Sequence, residues 1–469
     1  MNRTTSGGEL LLSIARRRGG SLRVQLEREL RLAIQQGRLK ANALVPSTRA
    51  LASDLGLSRG VVVEAYEQLL AEGYLRAARG SGTRVAFRRA DVEPLEASKS
   101  AETPPKYDFR PGLPDLELFP RRTWLMAMRR ALAGAPDSAF DYPDPRGAPP
   151  AREALAAYLN RVRATRAHAD NVVFFNGSAQ GIGLVCRLLR ERGARKLAVE
   201  DPGHADQCTD IQAAGLATPR IPVDERGLTV DRLERADADA VLVTPAHQFP
   251  TGAALAPERR AALLEWAERR RAIIIEDDYD AEYRYDREPV GALQGLTPER
   301  VVYVGSASKT LSPALRMGWV VAPRALVSGL ADAKLHADRG SPAPEQVALG
   351  EFIESGEFDR HIRRTRSIYR KRRDALSAAL KKHLPRLRVH GVAAGLHVYI
   401  ELPAGANERA IVDAAQQRSI RVYGAASYRA RPSAGPPALV VGYGALREER
   451  IDEAVRQLAR VLRGNRSGD

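Results

Sequence analysis

Apolar positions near the start of the chain fall three or four apart. Leu22, Leu26, Leu30, Ala33 and Ile34 lie on one side of an amphipathic helix expected over 22–39. After Pro46, Ser47 is a suitable N-cap for a second helix, with Leu51, Ala52 and Leu55 on its buried side and Gly56 as its stop. Ser58 caps a third helix over Arg59–Glu72, turning Val62, Ala65, Tyr66 and Leu69 inward. Gly73-Tyr74-Leu75 and Arg79–Arg84 read as a β-hairpin with a basic, glycine-rich tip. From about Arg88 to Lys106 the periodicity disappears and Pro, Ser and charge take over, which is linker composition. Beyond Tyr107 continuous apolar runs (VVFF, KLAVE, AVLVTP, AIIIEDD, VVYVGS) alternate with amphipathic segments such as Pro257–Arg271. That alternation predicts an α/β domain whose mostly parallel sheet is covered on both faces. After about Ala322 a long polar helix and a small α+β unit are expected. The organisation is therefore a small helical domain at 11–87, a linker at 88–106 and a large domain at 107–465, with a small subdomain from about 325.

Charge sharpens this division. The formal net charge is +16, and residues 1–90 hold 16 Lys/Arg against 7 Asp/Glu. A basic end domain suits a polyanionic partner, although a solvated surface would carry the same charge. Cys186 and Cys208 have no metal-type spacing and form no disulfide framework, which suits a reducing cytoplasm. No apolar run approaches the length of a membrane span.

Helix, tight turn and helix make a helix-turn-helix, in which the helix opening at Ser58 would enter the major groove. Its first turn offers Ser58, Arg59 and Gly60. The stretch PSTRALASDLGLSRGVVVEAYEQLLAEGYLRAARGSGTRV resembles the GntR-type winged helix nearly end to end. The resemblance implies that Arg49 and Arg59 meet double-stranded DNA, with Ser47, Thr48, Gly82 and Thr83 in support. Phosphate contacts would position the domain and the start of the recognition helix would specify the sequence.

In the large domain, YVGSASKTLSPALRMGW places Lys309 just after an apolar strand, in a loop of small residues. A lysine that attacks a carbonyl cofactor needs such a partly dehydrated place, where its pKa falls. Ser306 precedes it, and Arg316 offers a fork for phosphate. IIIEDDY ends a buried strand in Asp277 and Tyr279, at the edge where sheet ligands bind. An aspartate there can pair with a protonated pyridine nitrogen. Asn176-Gly177-Ser178-Ala179-Gln180 follows VVFF and opens a helix, the geometry of a phosphate seat. TPAHQFPTG is a third strand-end loop. Each segment alone is an ordinary strand-to-helix turn, but their order on one α/β pattern is not.

These segments resemble fold-type I pyridoxal-phosphate enzymes of the class I aminotransferase group. With the winged helix, the chain resembles the MocR/GabR family of regulators from about Leu11 to Leu462, including FRPGLPDLELFP, YPDPRG and EDDYDAEYRY. The resemblance implies a winged helix-turn-helix followed by a fold-type I aminotransferase-like domain with pyridoxal 5'-phosphate on Lys309 as a Schiff base. Asp277 would pair with the ring nitrogen and Tyr279 with the ring hydroxyl. Ser178, Ala179, Gln180, Ser306 and Arg316 would hold the phosphate, and Tyr142 would reach the phosphate of a neighbouring subunit in a head-to-tail homodimer.

Two positions depart from the pattern. After Glu200-Asp201-Pro202-Gly203 the family usually has an aromatic ring to stack on the cofactor; here it is His204. Where aminotransferases place a carboxylate-binding arginine, ALVVGYG has Val440, so an effector carboxylate would fall to Arg429, Arg431 or Arg421. The expected function is a cytoplasmic transcription regulator that senses an amine, an amino acid or pyridoxal phosphate itself. The alternatives are a working aminotransferase with an appended DNA-binding domain, and a winged-helix repressor with a cofactor-free relic. Val440 weighs against the first, and the intact Asp277, Tyr279, Lys309 and Arg316 set against the second.

Overall fold

A computed structural model describes Leu12, Ile14 and residues 21–78, 82–86, 104–285 and 290–464. The expected wing tip at 79–81 and most of the expected linker lie outside the described residues. The chain divides into two compact units, Met1–Glu102 and Thr103–Asp469.

In the first unit, α1 (Leu22–Gln35), α2 (Thr48–Leu55) and α3 (Arg59–Ala71) pack around Leu26, Leu30, Leu51, Val62, Tyr66 and Leu69. The first helix stops at Gln35, short of Leu39, because Gly37 turns the chain with φ +76°. Ser47 and Ser58 cap the next two helices, accepting the amides of Ala50 (3.2 Å) and Val61 (3.4 Å). Gly56 terminates α2 in the left-handed conformation that a side chain disfavours. A hairpin of β1 (Leu75–Ala78) and β2 (Gly82–Val85) closes the unit, and the Val45 amide donates to the Thr83 carbonyl at its edge.

The second unit is built on eight strands: β3 (Val172–Phe175), β4 (Leu197–Asp201), β5 (Arg220–Asp224), β6 (Gly227–Leu228), β7 (Ala240–Val243), β8 (Ile273–Asp277), β9 (Val301–Ser306) and β10 (Gly318–Val321). Their spatial order is β3-β10-β9-β8-β7-β4-β5-β6. Strands β9, β8, β7, β4 and β5 run parallel, while β10 is antiparallel to both neighbours and β6 to β5. Strands β3, β7 and β9 are buried throughout, with helices over both faces, as continuous apolar runs require.

The small subdomain begins later than the expected 325. Leu326 and Leu330 pack into the core of the large sheet, as do Leu349, Phe352 and Phe358. The helix Glu357–His383 then leaves that core and carries Tyr369, Leu376 and Leu380 into a second one. There it meets Glu448–Gly464 and an antiparallel sheet centred on His397–Glu401 and Ala438–Gly442. Tyr107–Asp108 also joins this part, pairing with Ile420–Arg421. Among the described residues, no helix is long and apolar enough to cross a membrane.

Candidate functional site

The C-terminal ends of the parallel strands gather the expected cofactor residues, as ligand sites on such sheets require. Ser306 ends β9 and Lys309 follows it. The Ser306 side chain is buried, and its hydroxyl accepts the Ser308 amide at 3.3 Å. The Lys309 amine lies against Gly112, where an added Cβ would stand 3.2 Å from Nζ. Burial lowers the lysine's pKa; the carboxylates of Asp280 and Asp277 oppose that shift, and the Arg110 guanidinium adds to it. The result is a larger share of neutral, nucleophilic amine near neutral pH.

Asp277 closes β8. Its Oδ2 accepts Gln207 Nε2 at 2.7 Å, while Oδ1 is buried with no hydrogen-bond partner among the described residues. Burial pushes this carboxyl up to about 6, against the Gln207 bond and with help from Asp278. An orphaned buried acceptor is costly, and the N–H of a protonated pyridine is a donor that would satisfy it. Tyr279 donates its hydroxyl to the His247 carbonyl (2.9 Å), and Asp280 lies 2.9 Å from His247 Nδ1. His397 approaches the His247 ring at 4.8 Å between centroids, and burial holds His397 well below the ordinary imidazole pKa.

A phosphate seat stands at the start of the helix Ser178–Glu191. Gly177 has φ +90°, and an added Cβ would come within 2.8 Å of the Arg316 guanidinium. At Gly318, a Cβ would collide with the Gly177 carbonyl carbon at 2.5 Å. The two glycines thus let Arg316, itself exposed, lie across the helix N-terminus, where its Nη2 donates to the Asn176 carbonyl at 2.6 Å. Unpaired amides and a guanidinium together suit an anion. Ser178 and Ala179 occupy the first turn of that helix.

Gln180 lies in the same first turn, and its side chain has a separate role. Its Oε1 accepts the Asn176 amide (2.8 Å) and Lys334 Nζ (3.0 Å), and its Nε2 donates to Asp338 Oδ2 (2.7 Å). The side chain therefore braces the loop, which leaves the backbone amide of Gln180 as its group at the helix start. The cause is Lys334, a fully buried ammonium that needs acceptors.

His204 stacks face to face on Phe249, with centroids 3.9 Å apart and planes 5° from parallel. Burial, with the Lys309 charge, pushes the imidazole down to about 4, so it is a neutral ring at physiological pH. Tyr142 is 84% exposed. Val440 is buried among Tyr399, Ala425 and Ala438, opposite Tyr399 in the sheet.

The three arginines expected for an effector differ. Arg429 is occupied, donating to Tyr399 Oη (2.8 Å) and to the Pro436 carbonyl. Arg421 pairs with Asp108 at 3.7 Å, and Arg431 is exposed. Sequence reasoning missed Arg110, whose exposed guanidinium has no hydrogen bond or ion pair among the described residues yet acts on Lys309, Tyr423 and Tyr428. It stands two residues before Gly112 in the segment FRPGLPDLELFP, and that proximity was its available signal. Gln207 was also missed; it lies on the helix Ala205–Ala213, three residues after His204.

In the first unit, Arg49 and Arg59 are exposed at the starts of α2 and α3, free of ion pairs among the described residues. Ser47 and Ser58 spend a lone pair on their caps, which fixes both helix starts. Gly82 has φ +78° at the hairpin, and Thr83 beside it is half-buried.

Known proteins place both units. Residues 22–85 match the bacterial regulatory proteins of the gntR family, and residues 113–458 match aminotransferase class I and II. The chain is 30% identical over 456 residues to the probable rhizopine catabolism regulatory protein MocR of Rhizobium meliloti, covering 92% of each chain. The chain belongs to the MocR-type GntR regulators. A second member, the pyridoxine biosynthesis regulator PdxR of Corynebacterium glutamicum, is 34% identical over 387 residues, 81% of this chain and 83% of that one. Among solved structures, LysN, an alpha-aminoadipate aminotransferase from Thermus thermophilus complexed with N-(5'-phosphopyridoxyl)-L-leucine, superposes with TM-score 0.69 at 27% identity. That match covers 77% of this chain and 92% of LysN. As a MocR-type regulator, the chain joins a DNA-binding winged helix to an aminotransferase fold.

Proposed function

We propose that this MocR-type regulator binds operator DNA as a homodimer and uses pyridoxal phosphate on Lys309 to sense a small amine or amino acid. The single observation that carries the cofactor reading is the orphaned Oδ1 of Asp277, buried on the same sheet edge as a desolvated lysine. Pyridoxal phosphate supplies an aldehyde that amines attack and a ring that withdraws electrons when its nitrogen is protonated. Asp277 would hold that nitrogen's proton, and Gln207 orients the carboxylate. Ser178, Ala179, Ser306 and Arg316 would hold the phosphate, and the neutral His204 ring would present a face to the pyridine. Tyr279, already donating to the His247 carbonyl, would meet the ring hydroxyl through its remaining lone pairs.

For an effector carboxylate, Arg110 is the better candidate than Arg429, whose guanidinium is tied to Tyr399 and two carbonyls. Dimerisation is supported by Leu125, Met126, Leu132, Phe140 and Tyr142, all exposed apolar side chains close in sequence. Tyr142 would then reach a partner's phosphate. An effector switches DNA binding only if it favours one conformation.

The test is a spectral titration of the loaded protein with a library of amines and amino acids, run beside operator binding. A change of the visible band with the same half-saturation as a change in operator affinity is expected, and Arg110→Ala should weaken carboxylate-bearing effectors about tenfold while sparing simple amines. Steady turnover of an amino donor with a keto acid would favour the aminotransferase reading instead.

A further inference from the structure

Lys334 and Asp338 lie one turn apart at the end of the helix Arg324–Asp338, with Lys334 Nζ 2.6 Å from Asp338 Oδ2. Neither stands where helix stability would put it. A helix C-terminus disfavours a carboxylate, and a buried ion pair is often no more stabilising than apolar side chains of the same volume. Lys334 is nevertheless fully buried. What the pair holds is the turn that precedes the helix Ser178–Glu191.

Lys334 Nζ, Gln180 Nε2 (2.7 Å) and Asn176 Nδ2 (2.8 Å) all converge on Asp338 Oδ2. Burial works to raise the Asp338 pKa, but the Lys334 and Gln180 bonds outweigh it and hold the carboxyl below its usual range. An ionised carboxylate only accepts, so Gln180 must turn its amide nitrogen toward it. The Gln180 carbonyl is thereby fixed on Lys334 Nζ and the Asn176 amide, at 3.0 and 2.8 Å. Asn176 is thus caught by both its backbone and its side-chain nitrogen. Its carbonyl is left to Arg316, whose Nη2 donates to it at 2.6 Å. Arg316 itself takes φ +51°, a left-handed backbone that a residue with a side chain rarely adopts and that its surroundings must hold.

We propose that Lys334 and Asp338 are positioning residues for the cofactor phosphate: without touching it, they preset Asn176, and through it Arg316 and the amides that follow, before a phosphate arrives. This rests on the reading of the Ser178–Arg316 seat as the phosphate site. Polar groups fixed in advance bind an anion without the cost of ordering them. The ion pair is neutral as a whole, so it acts through geometry. Its loss is therefore selective: the part of the affinity that comes from phosphate falls, and the part that comes from the pyridine ring and Lys309 stays.

The experiment titrates the full chain, stripped of cofactor, with pyridoxal phosphate and with pyridoxal, which lacks the phosphate, following the visible band. Wild type should strongly prefer pyridoxal phosphate. Lys334→Met should weaken pyridoxal phosphate about tenfold and pyridoxal by no more than about twofold. Gln180→Met keeps the ion pair and the backbone amide at the helix start, and should show the same selective loss. The double variant should be no worse than the more affected single one, because both act on Asn176. Equal weakening of the two ligands, unchanged selectivity in a folded Gln180→Met, or multiplied losses in the double variant overturns the proposal. Should Lys334→Met fail to fold, Gln180→Met decides alone. Arg316→Ala tests the seat separately. If that variant keeps the full preference for phosphate, or wild type has none, the reading of the seat falls and the positioning role with it. If Arg316→Ala loses the preference while Lys334→Met and Gln180→Met keep it, only the positioning role falls.

Discussion

The two units place charge in opposite ways. In the winged helix, Arg49 and Arg59 stand exposed at helix starts with no intramolecular ion pair among the described residues. In the aminotransferase-like unit, Asp277 is buried, Lys309 and His204 are half-buried, and all three are displaced in pKa. The difference follows from the partners. A DNA backbone is met at the surface and rewards charges that are free to exchange counterions for phosphates. A carbonyl cofactor needs an amine that is often neutral and a carboxylate with an unmet lone pair, and only burial provides both. Substitutions of the exposed arginines in the first unit should therefore change binding without touching the fold, whereas those of the buried groups in the second should change stability, pH response and spectrum together.

The largest test of that contrast lies in Asp277. Its folded pKa of about 6 lies above the ordinary 3.8, so in the apoprotein its favourable neutral form is fully present below about pH 4 and is lost as pH rises through 6. Asp277→Asn cannot ionise. The apo variant should gain on wild type between pH 4 and 7, by on the order of 3 kcal/mol at the upper end, in denaturant melts. With cofactor present the order should reverse, because asparagine cannot hold the pyridine proton. Parallel pH curves for the two apoproteins would remove the electrostatic account of this site.

Arg59→Ala comes next. Operator affinity should fall by about 1–3 kcal/mol, with sequence preference relaxed at one base pair, in fluorescence anisotropy. Thermal stability and the visible band should stay as in wild type. A drop in melting temperature would mean that Arg59 serves the fold after all.

The smallest effect expected is for Ser47→Ala. The lost cap on the Ala50 amide should cost about 1 kcal/mol in the winged helix alone, seen as an early transition in calorimetry. A shift confined to the large unit would contradict the separation of the two.

The same contrast explains what the sequence made visible. The winged helix is specified locally: Ser47, Gly56 and Ser58 set helix ends through bonds and dihedrals within a few residues, so their pattern is readable along the chain. Asp277 and Lys309 were readable too, because Asp277 ends one buried strand and Lys309 follows another, and strand ends mark the ligand edge of a parallel sheet. The bracing by the Gln180 side chain was not legible, since its orientation is decided by Lys334 and Asp338, more than 150 residues away. Arg110 and Gln207 escaped for the same reason: their neighbours in space, Lys309 and Asp277, are remote in sequence. The boundary near 325 differs because the apolar face of the helix Arg324–Asp338 does not name its partner in the sequence, and packing assigns it to the large sheet.

The most direct test of the central claim is to load the full chain with pyridoxal phosphate, reduce it with borohydride and map the modified lysine by peptide mass spectrometry. One phosphopyridoxyl group per chain, on Lys309, with loss of the visible band in Lys309→Ala, is the predicted result. Modification spread over surface lysines, or none after reconstitution, would contradict a cofactor-bearing regulator.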